Sequence, residues 1–243
     1  MINEKISVII PSFNESNNII NTLNETKKVF ANLGYGYEII VVDDGSKDGT
    51  ADLIQKNFDF KSDKIIVAGY SLNLGKGNAL KYGIQFAGGD YILFMDADLD
   101  LHPKQISKFL ETMIVSGADA VIGSKKSKDS NVKYSFKRRL LSNGYYYLIK
   151  LLFGLPVRDT QTGFKLFKGE ALKKCISKVL IKRYAFDLEL LIVLHKNGYK
   201  IVECPVEVMQ SRSAGRIGFR DVFSVFNDTI KIFNRLYFRK FYD

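Results

Sequence analysis

Short, uninterrupted apolar segments alternate with amphipathic segments through the first half of the chain. Five apolar segments predict strands, at residues 6–10, 38–42, 64–68, 91–95 and 118–122. Continuous apolar character is typical of strands that are buried on both faces, and strands separated by helices pair in parallel. The pattern therefore predicts an α/β fold, with a mostly parallel sheet flanked by helices. The 243 residues suffice for one such domain.

The second half of the chain is less regular. Its periodicity predicts three helices, over about 134–153, 185–196 and 219–238, and one strand over about 200–208. The last helix has aromatic residues on one face and basic residues among its other positions. We therefore divide the chain into a domain at 1–218 and a C-terminal amphipathic helix at 219–243.

Positive charge is concentrated in the C-terminal half, although the whole chain has a net charge of only +10. Residues 125–150 contain eight Lys or Arg against one Asp, and residues 211–243 contain seven against three Asp. Such stretches suit nucleic acids, anionic membranes or phosphorylated ligands. No nucleic-acid-binding motif accompanies them, so we expect no nucleic-acid partner. No apolar run reaches 18 residues, and we expect a cytoplasmic protein that associates peripherally with a membrane.

Polar loops follow four of the predicted strands, at residues 11–15, 43–46, 73–78 and 96–100. Ligands of parallel sheets bind at the carboxyl ends of the strands, so these loops are expected to form one site. The fourth loop contains Asp96-Ala97-Asp98. Carboxylate oxygens suit Mg²⁺ or Mn²⁺ shared with substrate phosphates. A lone Asp-x-Asp is better explained as a polar strand end with a helix cap, but its position after the fourth strand, with Asp43-Asp44 at the end of another strand, favours the binding site.

These loops also carry a family resemblance. Segments 8–15, 41–46, 75–79 and 96–98 resemble the ordered motifs of glycosyltransferase family 2, which has the GT-A fold. Segments 157–167 and 185–190 resemble its dolichyl-phosphate glucosyltransferase branch.

The resemblance implies an inverting enzyme that moves a sugar, glucose in that branch, from a nucleotide sugar such as a UDP-sugar to polyprenyl (dolichyl) phosphate. The alternatives are a GDP-mannose-dependent polyprenyl-phosphate mannosyltransferase, a family 2 enzyme with a soluble or glycan acceptor, and a non-catalytic nucleotide-binding protein.

The resemblance and the loops together assign the candidate site residues. The nucleotide-sugar site comprises Pro11, Phe13, Glu15, Asp43, Asp44, Lys76, Asp96, Ala97 and Asp98. The catalytic set comprises Asp96, Asp98, Lys125, Arg212 and Arg216. The acceptor and sugar site comprises Lys125, Arg139, Gln161, Thr162, Asp187, Glu189 and Arg212. The metal ligands, for Mg²⁺ or Mn²⁺, are Asp98 and Asp100. A phosphate acceptor is already anionic, so positioning can replace a general base.

Overall fold

The computed structural model describes residues 4–126, 136–209 and 219–242, apart from the side chains of 136–142 and 219–222. The strands are β1 Lys5–Ser12, β2 Gly36–Asp44, β3 Ile65–Tyr70, β4 Tyr91–Phe94, β5 Ala120–Ser124, β6 Lys165–Lys168 and β7 Ile201–Pro205. The helices are α1 Ile19–Ala31, α2 Thr50–Asn57, α3 Lys76–Ile84, α4 Ile106–Ser116, α5 Phe136–Phe153, α6 Gly169–Ile176, α7 Phe186–Lys196 and α8 Phe219–Tyr237. A short 3₁₀ helix, Pro103–Gln105, precedes α4.

The seven strands form one sheet in the order β3-β2-β1-β4-β6-β5-β7. Strand β6 runs antiparallel to β4 and β5, and the other neighbours pair in parallel. The predicted α/β fold with a mostly parallel sheet is confirmed. The prediction missed β6 and the short helix α6. A strand of four residues gives too short a pattern to recognise, and the strands that pair with β6 lie far from it in the sequence.

The sheet has a hydrophobic core on each face. Successive residues of β1 point to opposite faces, so Ile9 joins one core while Val8 and Ile10 join the other. Helices α3, α5, α6, α7 and α8 cover the face of Ile9, and α1, α2 and α4 cover the opposite face. Burial on both faces explains the continuous apolar character of the predicted strands.

Helix α8 packs on the same core as α5 and α7. Ile232 is fully buried there, and Phe233 and Leu236 pack against it. The ring of Phe233 lies 6.3 Å from that of Phe153 in α5. The described part of the 219–243 segment is therefore integrated with the domain. Within the described residues, no helix has both the length and the apolar character that crossing a bilayer requires.

Candidate functional site

A cleft of about 390 Å³ opens at the carboxyl ends of β1, β2 and β4. Parallel strands present their carboxyl ends at one edge, so loops far apart in the sequence converge there. The cleft brings together ten of the predicted site residues: Pro11, Phe13, Glu15, Asp44, Lys76, Asp96, Ala97, Asp98, Gln161 and Asp187. These residues come from the ends of three strands and the loops after them, from the first turn of α3, from the loop before β6 and from the first turn of α7.

The first two loops are fixed to each other by hydrogen bonds. The amide of Asn14 donates to Ser46 Oγ at 2.9 Å, and Asn14 Oδ1 accepts from the amide of Lys47 at 2.9 Å. Asn14 has a φ of 55°, a left-handed conformation that asparagine tolerates. Asp43 accepts from the amide and hydroxyl of Ser46. Asp43 therefore fixes this turn, and the structure does not place it among the residues lining the cleft.

Asp44 fixes the third loop. Its carboxylate accepts from the amides of Leu74 and Gly75 at 2.8 and 2.9 Å. Gly75 has a φ of 101°, and a β-carbon there would lie 2.6 Å from Cγ of Arg183. A β-carbon on Gly77 would lie 2.4 Å from Cβ of Phe186. Gly75 and Gly77 thus leave room for the segment that leads into α7.

Lys76 and Asp96 form an ion pair in the cleft wall, with Nζ 2.5 Å from Oδ1. Both side chains are about two-fifths exposed. Partial burial opposes the charge on Asp96, but the Lys76 ammonium outweighs burial and holds the pKa of the carboxyl below its ordinary value. Lys165 and Lys125 add to this effect. Burial likewise opposes the charge on Lys76, and Asp96 raises the pKa of that ammonium. Both groups are therefore charged at neutral pH.

The lack of a side chain at Gly163 leaves room for the carboxylate of Asp96. A β-carbon on Gly163 would lie 1.9 Å from Oδ2 of Asp96, a distance that no real contact reaches. Two residues later, the buried Nζ of Lys165 donates to Asp187 Oδ1 at 2.6 Å and to the carbonyl of Thr162. Strand β6, which begins at Lys165, thus supports two cleft carboxylates at once.

The turn after β4 places Asp98 in the cleft. Leu99 has a φ of 58°, which is uncommon for a branched residue and marks local strain. Asp98 Oδ1 accepts from the amide of Asp100 at 3.1 Å. The carbonyl of Asp100 accepts from the amide of Met209, which joins this turn to the segment after β7. Asp98 lines the cleft, whereas Asp100, the other predicted metal ligand, is not among the residues that line it.

Asp159 connects the end of β5 with the loop before β6. Its carboxylate accepts from the amides of Lys125 and Gln161, at 3.0 and 3.3 Å. Lys125 directly follows the carboxyl end of β5, and its charge is one of those that lower the pKa of Asp96. Thr162 is buried beside Gly123, whose β-carbon would lie 2.9 Å from Thr162 Cγ2. Of the predicted acceptor residues here, Gln161 lines the cleft and Thr162 supports it.

Glu189 does not reach the cleft, and we withdraw it from the predicted acceptor site. It is fully buried, and its carboxylate accepts from Arg235, from Tyr242 and from the amides of Leu180 and Ile181. We call these five residues the Glu189 cluster. The side chain of Arg139, like Arg212 and Arg216, lies outside the described part of the chain.

Four further residues line the cleft: Ser12 and Asn73 belong to predicted loops but were not named as site residues, whereas Arg183 and Tyr184 lie outside every predicted loop. Arg183 Nη2 donates to the carbonyl of Asn73 at 3.4 Å, so an unpredicted residue contacts one of the predicted loops. Arg183 and Tyr184 directly precede segment 185–190. That proximity is the one sequence signal that points to them.

Comparison with known proteins agrees with this geometry. The model of the family described as glycosyl transferase family 2 matches residues 7–176. The chain belongs to glycosyltransferase family 2. The match covers the sheet from β1 to β6, and includes the loops of the cleft that precede α7.

Curated relatives extend the similarity beyond that region. An uncharacterised protein of Methanocaldococcus jannaschii is 34% identical over 91% of this chain and 91% of its own length. Dolichyl-phosphate beta-glucosyltransferases of Dictyostelium discoideum and Homo sapiens are each 34% identical, over 83% and 78% of this chain. The matches span 65% and 63% of the lengths of those two enzymes.

Solved structures share the fold. Glucosyl-3-phosphoglycerate synthase from Mycobacterium tuberculosis, solved with Mn²⁺, UDP and glucosyl-3-phosphoglycerate, superposes with a TM-score of 0.68 at 19% identity, covering 95% of this chain and 79% of that one. Mannosyl-3-phosphoglycerate synthase from Rubrobacter xylanophilus gives 0.69 at 20% identity, covering 98% and 75%. At such identities the likeness establishes a common GT-A fold.

Proposed function

We propose that this protein transfers glucose from UDP-glucose to a polyprenyl (dolichyl) phosphate, with inversion at the anomeric carbon. The observation that carries the proposal is the convergence of ten predicted donor and acceptor residues in one cleft. Identity of 34% to dolichyl-phosphate beta-glucosyltransferases supports the choice of sugar and acceptor. A GDP-mannose donor, a soluble acceptor and binding without catalysis are the outcomes that a substrate panel must separate.

The cleft has groups suited to each part of a nucleotide sugar. Phe13 is partly exposed beside Pro11 and offers an apolar surface to a base. Lys76 supplies a cation for the diphosphate, and Asp96 keeps that cation within the cleft. Asp187 offers a carboxylate to sugar hydroxyls, and its contact with Lys165 fixes its orientation. We assign the nucleotide to the Phe13 side and the transferred sugar to the Asp187 side.

A phosphate acceptor accounts for the chemistry without a protein base. An acceptor phosphate oxygen forms the bond to the anomeric carbon, while the bond to the nucleoside diphosphate breaks and its electron pair leaves on the β-phosphate oxygen. The acceptor oxygen carries no proton at neutral pH, so none has to be removed. Lys76 and Lys125 offset the charge that develops on the leaving group. Positioning and electrostatic stabilisation then account for the rate.

The residues of the cleft fit a Mg²⁺ or Mn²⁺ ion that is shared with the donor. Asp98 offers carboxylate oxygens at the cleft wall, whereas one Asp96 oxygen is already held by Lys76. No group of three or more His, Cys, Asp or Glu side chains arranged to hold a metal occurs among the described residues. Such a donor set suits an ion whose coordination is completed by phosphates and water. Bound there, the ion would neutralise the leaving diphosphate.

A membrane surface is the proposed location of the acceptor. Tyr147 and Leu151 of α5 are 67% and 84% exposed, and Phe223 and Phe226 of α8 are 70% and 51% exposed. Helices α5 and α8 are adjacent, since Tyr237 donates to the carbonyl of Leu152. The basic residues Lys150, Lys231, Arg239 and Lys240 also belong to this part of the chain. Apolar side chains flanked by cations match an anionic lipid surface.

A donor and acceptor panel tests the activity. Radiolabelled UDP-glucose, UDP-N-acetylglucosamine and GDP-mannose are each offered with polyprenyl phosphate or with phosphoglycerate, in the presence and absence of EDTA. We expect label to enter the organic phase from UDP-glucose with polyprenyl phosphate, and EDTA to abolish the transfer. Preference for GDP-mannose, label on phosphoglycerate, or nucleotide binding without transfer would each replace the proposal with the corresponding alternative.

Liposome flotation tests the membrane surface. Leu151→Glu and Phe223→Glu are expected to reduce binding to phosphatidylserine-containing vesicles by about tenfold each, because a fully buried large apolar side chain contributes about 1.5–3 kcal/mol. Ile114→Glu is the matched control, since Ile114 is also exposed but lies on α4 across the sheet. Equal binding by all three variants and the unmodified protein would contradict this surface.

A further inference from the structure

The Glu189 cluster joins two segments that are distant in the sequence. Glu189 Oε2 accepts from the amides of Leu180 and Ile181, at 2.8 and 2.6 Å. Its other oxygen accepts from Arg235 Nη1 at 2.7 Å and from the Tyr242 hydroxyl at 2.5 Å. The first two donors belong to residues 177–185, which we call the bridging segment because they connect α6 with α7. The last two belong to α8 and the residues that follow it.

The carboxylate depends on all of these partners. Glu189 is 0% exposed and Tyr242 is 1% exposed, so water cannot replace a lost donor. A buried carboxylate requires a compensating cation and hydrogen bonds to its oxygens. Among the described residues, Arg235 supplies the only cation that contacts the Glu189 carboxylate. The Tyr242 hydroxyl donates a second hydrogen bond to the same carboxylate oxygen. The C-terminal segment therefore determines whether Glu189 can stay buried and hold the amides.

The bridging segment leads directly to the cleft. Its residues Arg183 and Tyr184 line the cleft, two and three positions after the second amide held by Glu189. The carbonyl of Lys182 accepts from the amide of Asn78 in α3 at 3.0 Å. The cleft side of the bridging segment thus contacts the loop and helix that carry Lys76, and its other side is held by Glu189.

We propose that Arg235 and Tyr242 are positioning residues for the donor cleft, acting through Glu189. They hold the bridging segment, which places two side chains in the cleft wall. The proposal rests on the donor site assigned above, and it makes the C-terminal segment part of that site in addition to any contact with a membrane. Lys178 Nζ supports the same connection from the other direction, because it donates to the carbonyl of Tyr242 at 2.9 Å.

Tyr242→Phe tests the proposal with the smallest change, because it removes one hydroxyl from the cluster. Tyr237→Phe is the matched control: its hydroxyl also joins α8 to the domain, but through Leu152 in α5. The dissociation constant of UDP is measured by calorimetry with Mn²⁺, well below the unfolding midpoints. Amide hydrogen exchange of a peptide covering the bridging segment is measured by mass spectrometry.

We expect Tyr242→Phe to weaken UDP binding by about fivefold, the lower range of coupling between distant sites, and to accelerate exchange at Leu180 and Ile181. Tyr237→Phe should change neither quantity. Unchanged UDP affinity in Tyr242→Phe would overturn the positioning role, whether or not exchange accelerates.

Arg235→Lys, which keeps the charge but loses the planar guanidinium group, should also weaken UDP binding. An unmodified protein that binds no UDP would instead contradict the proposed function, and the exchange comparison would still show whether the cluster holds the segment.

Discussion

The cleft and the Glu189 cluster each contain a carboxylate in contact with a cation, but water reaches the carboxylate in only one of them. In the cleft, Lys76 and Asp96 are both about two-fifths exposed. In the cluster, Glu189 is fully buried and Arg235 is one-fifth exposed. The pair in the cleft is open to solvent, so water can compete for both of its charged groups. The pair in the cluster is closed, since protein groups satisfy both of its oxygens.

Helix α7 contributes to both regions. Asp187 and Glu189 lie two residues apart, which separates their directions by about 200° around the helix. Asp187 faces the cleft and Lys165, whereas Glu189 faces α8. Two acidic residues of similar chemistry therefore have different surroundings, and the orientation of the helix decides which of them lines the cleft. The following variants test that difference, from the largest expected effect to the smallest.

Removing the buried carboxylate is expected to cost the most stability. Glu189→Ala leaves Arg235 and two amides without their acceptor, and breaking a buried ion pair costs about 3–5 kcal/mol of the free energy of unfolding. Asp96→Ala removes the half-exposed counterpart, where water can solvate Lys76, and should cost about 1 kcal/mol or less. Urea denaturation of both variants measures the contrast. Similar losses would show that the two regions do not differ in solvent access.

Removing Asp98, a cleft carboxylate that we propose to face the donor, should instead affect activity alone. Asp98→Asn is expected to lower kcat/KM for glucosyl transfer by about a thousandfold, because stabilisation of the leaving diphosphate is lost. The free energy of unfolding should stay within about 0.5 kcal/mol of the unmodified protein. Asp52→Asn, an exposed change in α2, is the control for charge. Near-normal turnover in Asp98→Asn would exclude this residue as a metal ligand.

Crowding the cleft carboxylate without removing it should have an intermediate effect. In Gly163→Ala the new methyl group must displace Asp96, whose oxygen occupies that space. A displacement of about 1 Å in a catalytic group can cost about a hundredfold in rate, so kcat/KM should fall by that order. Gly144→Ala is the control, because a β-carbon there meets no atom within 4 Å. Equal activity of the two variants would show that the position of Asp96 is not critical.

The sequence predicted the cleft better than the region behind it. Strands β1, β2 and β4 are continuous apolar runs, and the rule that ligands bind at strand ends then located their loops. No comparable rule locates β6, because its four residues pair with strands that precede it by more than forty positions. The roles of Lys165 and Gly163 follow from that strand. The Glu189 cluster likewise requires the packing of α8, which periodicity predicts as a helix without specifying its partner.

The smallest effect concerns the alkaline limit of stability. Burial, and then the adjacent carboxylate of Glu189, raise the pKa of Tyr242 above its ordinary value. Below about pH 10 the hydroxyl is neutral in both the folded and the unfolded chain, so its full contribution to the free energy of unfolding is present there. Above that pH the unfolded chain ionises first, and the contribution falls by up to about 1.4 kcal/mol per pH unit until the folded pKa is reached. Tyr242→Phe cannot ionise and should lose less stability between pH 10 and 11, as measured by urea denaturation. Tyr147→Phe removes the hydroxyl of an exposed ring and should lose as much stability between pH 10 and 11 as the unmodified protein, because its Tyr242 remains buried beside Glu189.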